Sequence, residues 1–216
     1  MTNQKLPFAL IAIDVCIFKI INDELCVYLT NVEKESLYQG FKCLPGGLIM
    51  LHESSDETMK RIVNDKTNLD MKYLYTEQLY TFSKINRDKR SRVVSCAYLG
   101  LYNGSVEEGF VPFNKVKKIA YDHNEILEVG VDRLRSKLDY TTIVKKLLNN
   151  SFVYSELQKA YEVILGQAVD KRNFRKKFDS LDVLVDTKSK RKEGRMRPAS
   201  IYKFKNEKIE VLKIFD

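Results

Sequence analysis

Between Gly47 and Leu69 the chain sets two carboxylates, Glu53 and Asp65, around a guanidinium, Arg61, with the ammonium of Lys66 directly after the second carboxylate. Clustered carboxylate oxygens are what a divalent cation needs when it polarises a diphosphate and activates water. Lys66 opposes that use, because an ammonium among the ligands repels the cation, more strongly where the site is partly buried. Glu53 and Arg61 therefore have two readings, as contacts to a ligand or as an internal ion pair that holds loop to helix. Gly46 and Gly47 suit a turn, while Val63 and Leu69 have core character.

A second set of charges is Arg87, Asp88, Arg90 and Arg92. Guanidinium forks match phosphate oxygens, so the arginines are candidates for holding a diphosphate, and Asp88 for a sugar hydroxyl. Alternation along a strand would put Arg90 and Arg92 on one face. They are equally readable as surface charges or interface salt bridges. Nothing in this run separates a nucleotide from a sugar.

The elements that must carry these residues follow from local pattern. Residues 8–20 and 25–30 are rich in β-branched and aromatic side chains around the polar Asn22-Asp23-Glu24, which predicts a β-hairpin. Leu44-Pro45-Gly46-Gly47 marks a turn, and Ser55 to about Lys66 reads as a helix, with Met59, Ile62 and Val63 at helical spacing. Two further strands are expected at 73–85 and 91–102. From Asp122 the pattern turns helical: Asp122 with Glu125 resembles a capping box ahead of Ile126, Leu127, Val129, Val131 and Leu134. Ser155 with Gln158 predicts a second cap, opening a helix that Gly166 ends. A third helix starts at Asp170, with Phe174, Phe178 and Leu181 on one face and Lys171, Arg172, Arg175 and Lys176 away from it. After it come a strand, the basic run 188–197 and the strand-like SIYKFK. Two helices joined by a short turn and followed by a hairpin with a basic tip are the layout of a winged helix-turn-helix.

Charge divides the chain the same way. Lys and Arg against Asp and Glu number 19 against 18 for residues 1–138 and 18 against 11 for 139–216, so the formal +8 splits as +1 and +7. A neutral first part with a basic remainder fits a sensing or catalytic domain followed by a nucleic-acid-binding one, a solvated basic face being the plainer alternative. Cys16, Cys26, Cys43 and Cys96 form no CxxC pair, which argues against a zinc site and for reduced core thiols. With neither a signal-peptide pattern nor an apolar stretch of membrane-spanning length, the expected location is cytoplasmic.

The spacing from Gly47 to Leu69 resembles the Nudix box: a glycine, five residues, a glutamate, seven residues, then Arg-Glu-aliphatic-x-Glu-Glu-x-Gly-aliphatic. Gly47, Glu53, Arg61, Val63 and Leu69 match. Ile62 stands where the glutamate after arginine belongs, Asp65 and Lys66 at the glutamate pair, and Asn68 at the glycine. The order of elements is similar to that of the Nudix-related transcriptional regulators, in which a non-catalytic Nudix domain senses a metabolite and a C-terminal winged helix binds DNA. RDKRSRVVSCAY at 87–98 resembles that family's RDPRxRVVSVAY strand, with Lys89 for proline; DKRNFRKKF at 170–178 and GRMRPASIYKF at 194–204 are also similar.

The resemblance implies an α+β protein: an N-terminal Nudix-like α/β/α sandwich with a mixed sheet over residues 1–137, including a linker helix from about 122, and a winged helix-turn-helix over 138–216. It implies no catalytic residue, no cofactor and no metal. Lys171, Arg172, Arg175 and Lys176 on the recognition helix and Arg195 and Arg197 in the wing would contact duplex DNA, neutralising phosphates or reading guanine edges. The effector, an ADP-ribose-type nucleotide or a pentose, would meet Arg87, Asp88, Arg90, Arg92, Glu53 and Arg61. A homodimer on a palindromic operator is implied as well. The competing expectation is a Nudix hydrolase of ADP-ribose or a similar nucleoside diphosphate derivative, using Glu53 and Asp65.

Overall fold

The computed structural model describes residues 8–32, 37–192 and 198–212. β1 (Leu10–Ile21) and β2 (Glu24–Tyr28) form the expected hairpin. Asn22 and Asp23 at its tip have φ of 49° and 62°, backbone states that a two-residue turn demands and that Asn and Asp tolerate better than most side chains. β3 (Thr30–Asn31) and β4 (Lys42–Cys43) pair in a short ladder of their own. β5 (Gly46–Leu48), β6 (Leu74–Phe82), β7 (Val93–Tyr102) and β8 (Phe110–Pro112) complete a mixed sheet in the order β6-β7-β1-β2-β8, with β5 also on β1. β1 and β7 run parallel and the other pairings are antiparallel.

Both faces of β1 are covered, which is why its sequence is apolar on both faces, interrupted by Asp14 and Lys19, rather than alternating. Ile13, Val15 and Ile17 pack on one face with Met59, Ile62 and Val63 of α1 (Ser55–Lys66). Cys16 and Phe18 pack on the other with Ile126, Leu127, Val131 and Leu134 of α2 (His123–Tyr140). Each such fully buried aliphatic or aromatic side chain contributes roughly 1.5–3 kcal/mol. α2 lies so close to β1 that a Cβ at Gly130 would stand 3.1 Å from Cys16 Sγ. These layers are the α/β/α sandwich.

The second part follows: β9 (Phe152–Val153), α3 (Tyr154–Leu165), α4 (Lys171–Leu181), β10 (Leu184–Arg191) and β11 (Ala199–Phe204), with a sheet in the order β10-β11-β9. Gly166 closes α3 in the left-handed region at φ 72°, and the Asp170 carboxylate caps α4 by accepting the Asn173 N–H at 2.8 Å. Phe174 and Phe178 turn inward onto Tyr154 and Tyr161. This is a winged helix.

Two predicted caps differ. Asp122 stands at the N-cap of α2 without a capping bond, because its carboxylate is engaged by Arg87. α3 starts one residue ahead of Ser155; Val153 is its N-cap and donates its N–H to Glu156 at 2.8 Å, while Gln158 reaches Glu162 and the Val169 carbonyl. Glu156, at the third helical position, thus takes the N-cap N–H, the part expected of Gln158, and no serine hydroxyl caps the helix.

α2 is at once a layer of the sandwich and the joint to the winged helix. The Leu138 carbonyl accepts the Tyr161 hydroxyl at 3.3 Å, and Arg135 Nε donates to the Ile164 carbonyl at 2.9 Å. The segment after β11 returns to the same place, where the Leu212 N–H donates to the Tyr140 carbonyl at 2.7 Å. One cluster of buried side chains runs from Phe18 through Leu134 and Leu138 to Leu157 and Phe174. Among the described residues no helix is long and apolar enough to cross a membrane.

Candidate effector pocket and nucleic-acid interface

β1 changes partner along one edge, from β5 over Ala12–Asp14 to β2 from Phe18 onward. Asp14 sits at this change and is buried. It accepts the Ser95 hydroxyl at 2.6 Å and Arg87 Nη2 at 3.1 Å, and faces His123 Nε2 at 3.3 Å. The Leu44 N–H donates to His123 Nδ1 at 3.0 Å, so the imidazole proton lies on Nε2, toward Asp14. Burial raises the Asp14 carboxyl, but His123, Ser95 and Arg87 outweigh it and hold the group well below the usual carboxylate range. Gly46 must lack a side chain, since a Cβ there would lie 2.1 Å from Asp14 Oδ1.

Beside this cluster lies a cavity of about 620 Å³, lined among others by Asp14, Asn31, Lys66, Arg87, Asp88, Arg90, Tyr121 and His123. Arg87 is buried and its fork is given to carboxylates: Nε and Nη2 donate to Asp122 at 2.8 and 2.7 Å, and Nη2 also to Asp14. Asp88, also buried, accepts from the Arg90 backbone and guanidinium at 2.8–3.3 Å. The half-exposed Arg90 lies over the Tyr121 ring at 5.1 Å, and that ring also meets Tyr38 at 4.5 Å. Tyr121 holds φ of 58°, uncommon for a bulky side chain and characteristic of sites where the fold imposes strain.

The expectation for Arg90 and Arg92 is corrected here. β7 begins only at Val93, so residues 87–92 form a loop and strand alternation does not apply. Arg92 turns away and donates to the Lys84 carbonyl at 3.1 Å, whereas Arg87, Asp88 and Arg90 line the cavity.

Glu53 and Arg61 pair with each other, not with the cavity. Arg61 donates to both Glu53 oxygens at 2.5 and 2.8 Å and to the Leu48 carbonyl at 3.0 Å. Those bonds, helped by Thr58, lower the Glu53 carboxyl to about 2. Ile62 is fully buried beside Gly47, so the position of the missing glutamate belongs to the core. Asp65 and Lys66 lie exposed on the last turn, and Lys66 reaches the cavity lining. Asn68 needs no left-handed backbone, because α1 ends on Thr67, whose hydroxyl donates to the Val63 carbonyl at 2.6 Å.

On α4, Lys171, Arg172, Arg175 and Lys176 are all exposed. Arg175 is fixed in place: its guanidinium covers Tyr154 at 5.0 Å and Nη2 meets the Tyr202 hydroxyl at 3.3 Å. Lys171, at the first turn, lines a cleft of about 1190 Å³ that also includes Asn103, Leu148 and Lys159. Arg195 and Arg197 lie outside the described residues.

Residues 144–204 match the family model of the NrtR DNA-binding winged helix domain. The chain is similar to the crystal structure of Shewanella oneidensis NrtR complexed with a 27mer DNA, at 30% identity and TM-score 0.77, covering 90% of this chain and 93% of that one. This chain belongs to the NrtR family. It is also 29% identical to the ADPR responsive transcriptional repressor NtrR of Acinetobacter baylyi, over 92% of this chain and 83% of the relative. A MutT/nudix family protein from Enterococcus faecalis shares the fold, with TM-score 0.73 at 21% identity over 95% of this chain and 91% of that one. As an NrtR-family protein the chain is a DNA-binding transcriptional regulator whose Nudix-fold domain senses a metabolite.

Within that NrtR fold, sequence reasoning missed Asp14, Ser95, Asp122 and His123. Asp14 had a signal, as a lone acid inside FALIAIDVCIFKI. Its partners lie 73 to 109 positions away in sequence, so the cluster exists only once β1, β7 and α2 are assembled.

Proposed function

We propose that the cavity beside Asp14 binds an ADP-ribose-type nucleotide without hydrolysing it, and that this binding sets the affinity of the winged helix for an operator. The carrying observation is the pairing of Arg90 with Tyr121 at the cavity wall. Held in place by Asp88, the Arg90 guanidinium brings positive charge to the wall for a diphosphate, the Tyr121 ring offers an aromatic surface for a base, and Asn31 offers a partner for ribose hydroxyls. A pentose carries neither the charge nor the aromatic face. The Acinetobacter relative, an ADPR responsive repressor by name, supports the same effector class. The cavity volume lies within the range of small-molecule sites, about 300–1,000 Å³.

Ile62 and Lys66 support binding without hydrolysis, the first because it is core and the second because it brings positive charge to the cavity wall. We divide the chain into a sensor at 1–137 and a DNA-binding part at 138–216, a division supported by the match at 144–204 and by the +7 charge of the second part. A homodimer is supported by the exposed apolar side chains of Phe8, Ile11 and Leu51 near the start of β1 and after β5.

Titration calorimetry with ADP-ribose and with arabinose tests the effector, and gel retardation of duplex DNA with and without ADP-ribose tests its coupling to the winged helix. The expected result is ADP-ribose binding that weakens in Arg90→Ala and changes DNA affinity. Binding of arabinose alone, or release of AMP from ADP-ribose in the presence of magnesium, overturns this reading.

A further inference from the structure

β10 and β11 are out of step in their middle. Asp186 pairs with Tyr202 and Lys190 with Ser200, so Thr187, Lys188 and Ser189 stand opposite the single Ile201. Lys188 takes up the excess with φ of 62°. A lysine has no intrinsic preference for that backbone, and the bulge is over-determined by its neighbours. Asp186 Oδ1 accepts the Lys188 N–H at 2.7 Å, and the Thr187 hydroxyl donates to the Ile201 carbonyl at 2.9 Å. Just past the bulge, Arg191 pairs with Glu156 of α3 at 2.6 Å, which ties that end of β10 to the helices.

The bulge lies next to the α4 surface. Tyr202, the ladder partner of Asp186, meets Arg175 Nη2 at 3.3 Å, and ladder partners share a face of the sheet. Arg175, Tyr202 and Asp186 thus follow one another from α4 to β10, and Asp186 holds the Lys188 N–H beside them. Lys188 and Lys190 on β10 are exposed, as are Arg172 and Lys176 on α4.

We propose that the Asp186–Lys190 bulge is a DNA-positioning device, which aims the Lys188 ammonium at a backbone phosphate of the duplex that α4 engages. The contact is electrostatic and independent of base sequence, so it sets how the protein sits on DNA rather than which bases it reads. This inference rests on the DNA-binding reading above but not on the effector or on the residues that read bases.

Its test is the salt dependence of the full-length protein binding mixed-sequence duplex DNA, followed by fluorescence anisotropy. Each phosphate neutralised contributes about 0.9 to the log–log slope. Lys188→Asn keeps a side chain that tolerates the left-handed backbone and removes the charge, and Lys188→Gly removes both side chain and backbone conflict. Both variants are expected to stay folded by circular dichroism, to bind more weakly, and to lose about 0.9 of slope for each Lys188 engaged. Lys188→Arg restores the slope, while Lys60→Gln on the exposed side of α1 leaves it unchanged. A wild-type slope in both Lys188→Asn and Lys188→Gly overturns the proposal while leaving the DNA-binding reading standing. If wild-type protein binds no duplex at low salt, that reading fails and this inference fails with it.

Discussion

Arg87 and Asp122 are joined by two hydrogen bonds of 2.8 and 2.7 Å, from Nε and Nη2 to the two carboxylate oxygens, with the guanidinium almost entirely out of solvent. The pair fastens the loop before β7 to the residue ahead of α2, and Asp14 shares the same guanidinium. It also explains why Asp122 does not cap its helix. At the far end of α2, the Leu138 carbonyl accepts a bond from Tyr161 in the winged helix. The cavity beside Asp14 and the winged helix therefore meet the two ends of one helix, α2.

Removing Arg87 strands two carboxylates, at least one of them deeply buried. Leaving a buried charge without its partner typically costs about 3–5 kcal/mol. Arg87→Ala is therefore expected to lose stability on that order in urea denaturation. Asp122→Asn should lose less, because Asp14 still faces the guanidinium. Equal losses in the two variants would show that the shared geometry does not carry the energy.

The Glu53–Arg61 pair makes a pH-dependent contribution. The Glu53 carboxyl falls from an ordinary 4.5 to about 2 on folding, chiefly through its bonds from Arg61. A group whose folded value is depressed stabilises the fold above its unfolded value and loses that contribution as pH falls toward the folded one. The melting temperature of Glu53→Gln should accordingly lie below wild type at neutral pH, with the gap closing between pH 4.5 and about 2. A gap constant across that window would rule out the ion pair as its source.

The sandwich and winged helix were legible because they rest on local signals: the Asn22-Asp23 turn, Met59, Ile62 and Val63 at helical spacing, the Asp170 cap, and Phe174 with Phe178. The pocket was legible only in part. Arg87, Asp88 and Arg90 stood out as charges close together in sequence, whereas Asp14 and His123 acquire meaning through contacts across β1 and α2. Alternation misled at Arg92 because it presumes a strand, and β7 starts one residue later. Asp122 misled for a related reason: a cap is a local inference, and the nearby Arg87 guanidinium outcompetes the helix for its carboxylate.

Restoring one missing acid should not restore chemistry. Lys66→Glu removes the ammonium from the cavity wall, but Ile62 still fills the other position with fully buried aliphatic volume. We expect AMP release from ADP-ribose with magnesium or manganese to remain at the wild-type level in Lys66→Glu. Ile62→Glu places an unpaired carboxyl against Met59 and Val63, a loss on the order of 3 kcal/mol in urea denaturation. Hydrolysis gained by Lys66→Glu alone would mean that the site needs fewer carboxylates than cation coordination by this box suggests.

The two arginines of α4 should separate on mutation. Arg175 covers Tyr154 and reaches Tyr202, so it braces α4 against α3 and β11 while part of its guanidinium stays exposed. An exposed cation–π contact is worth about 0.5–1 kcal/mol, which Arg175→Ala should lose in thermal or urea unfolding together with DNA affinity. Arg172 is exposed and lies away from the buried Phe174–Phe178 face, so Arg172→Ala should weaken DNA binding with stability unchanged within about 0.5 kcal/mol. Measuring both variants by gel retardation and urea denaturation distinguishes a bracing role from a contact role. If Arg175→Ala loses stability and keeps full DNA affinity, Arg175 serves the fold alone, and the DNA-facing surface of α4 shifts to Arg172 and Lys176.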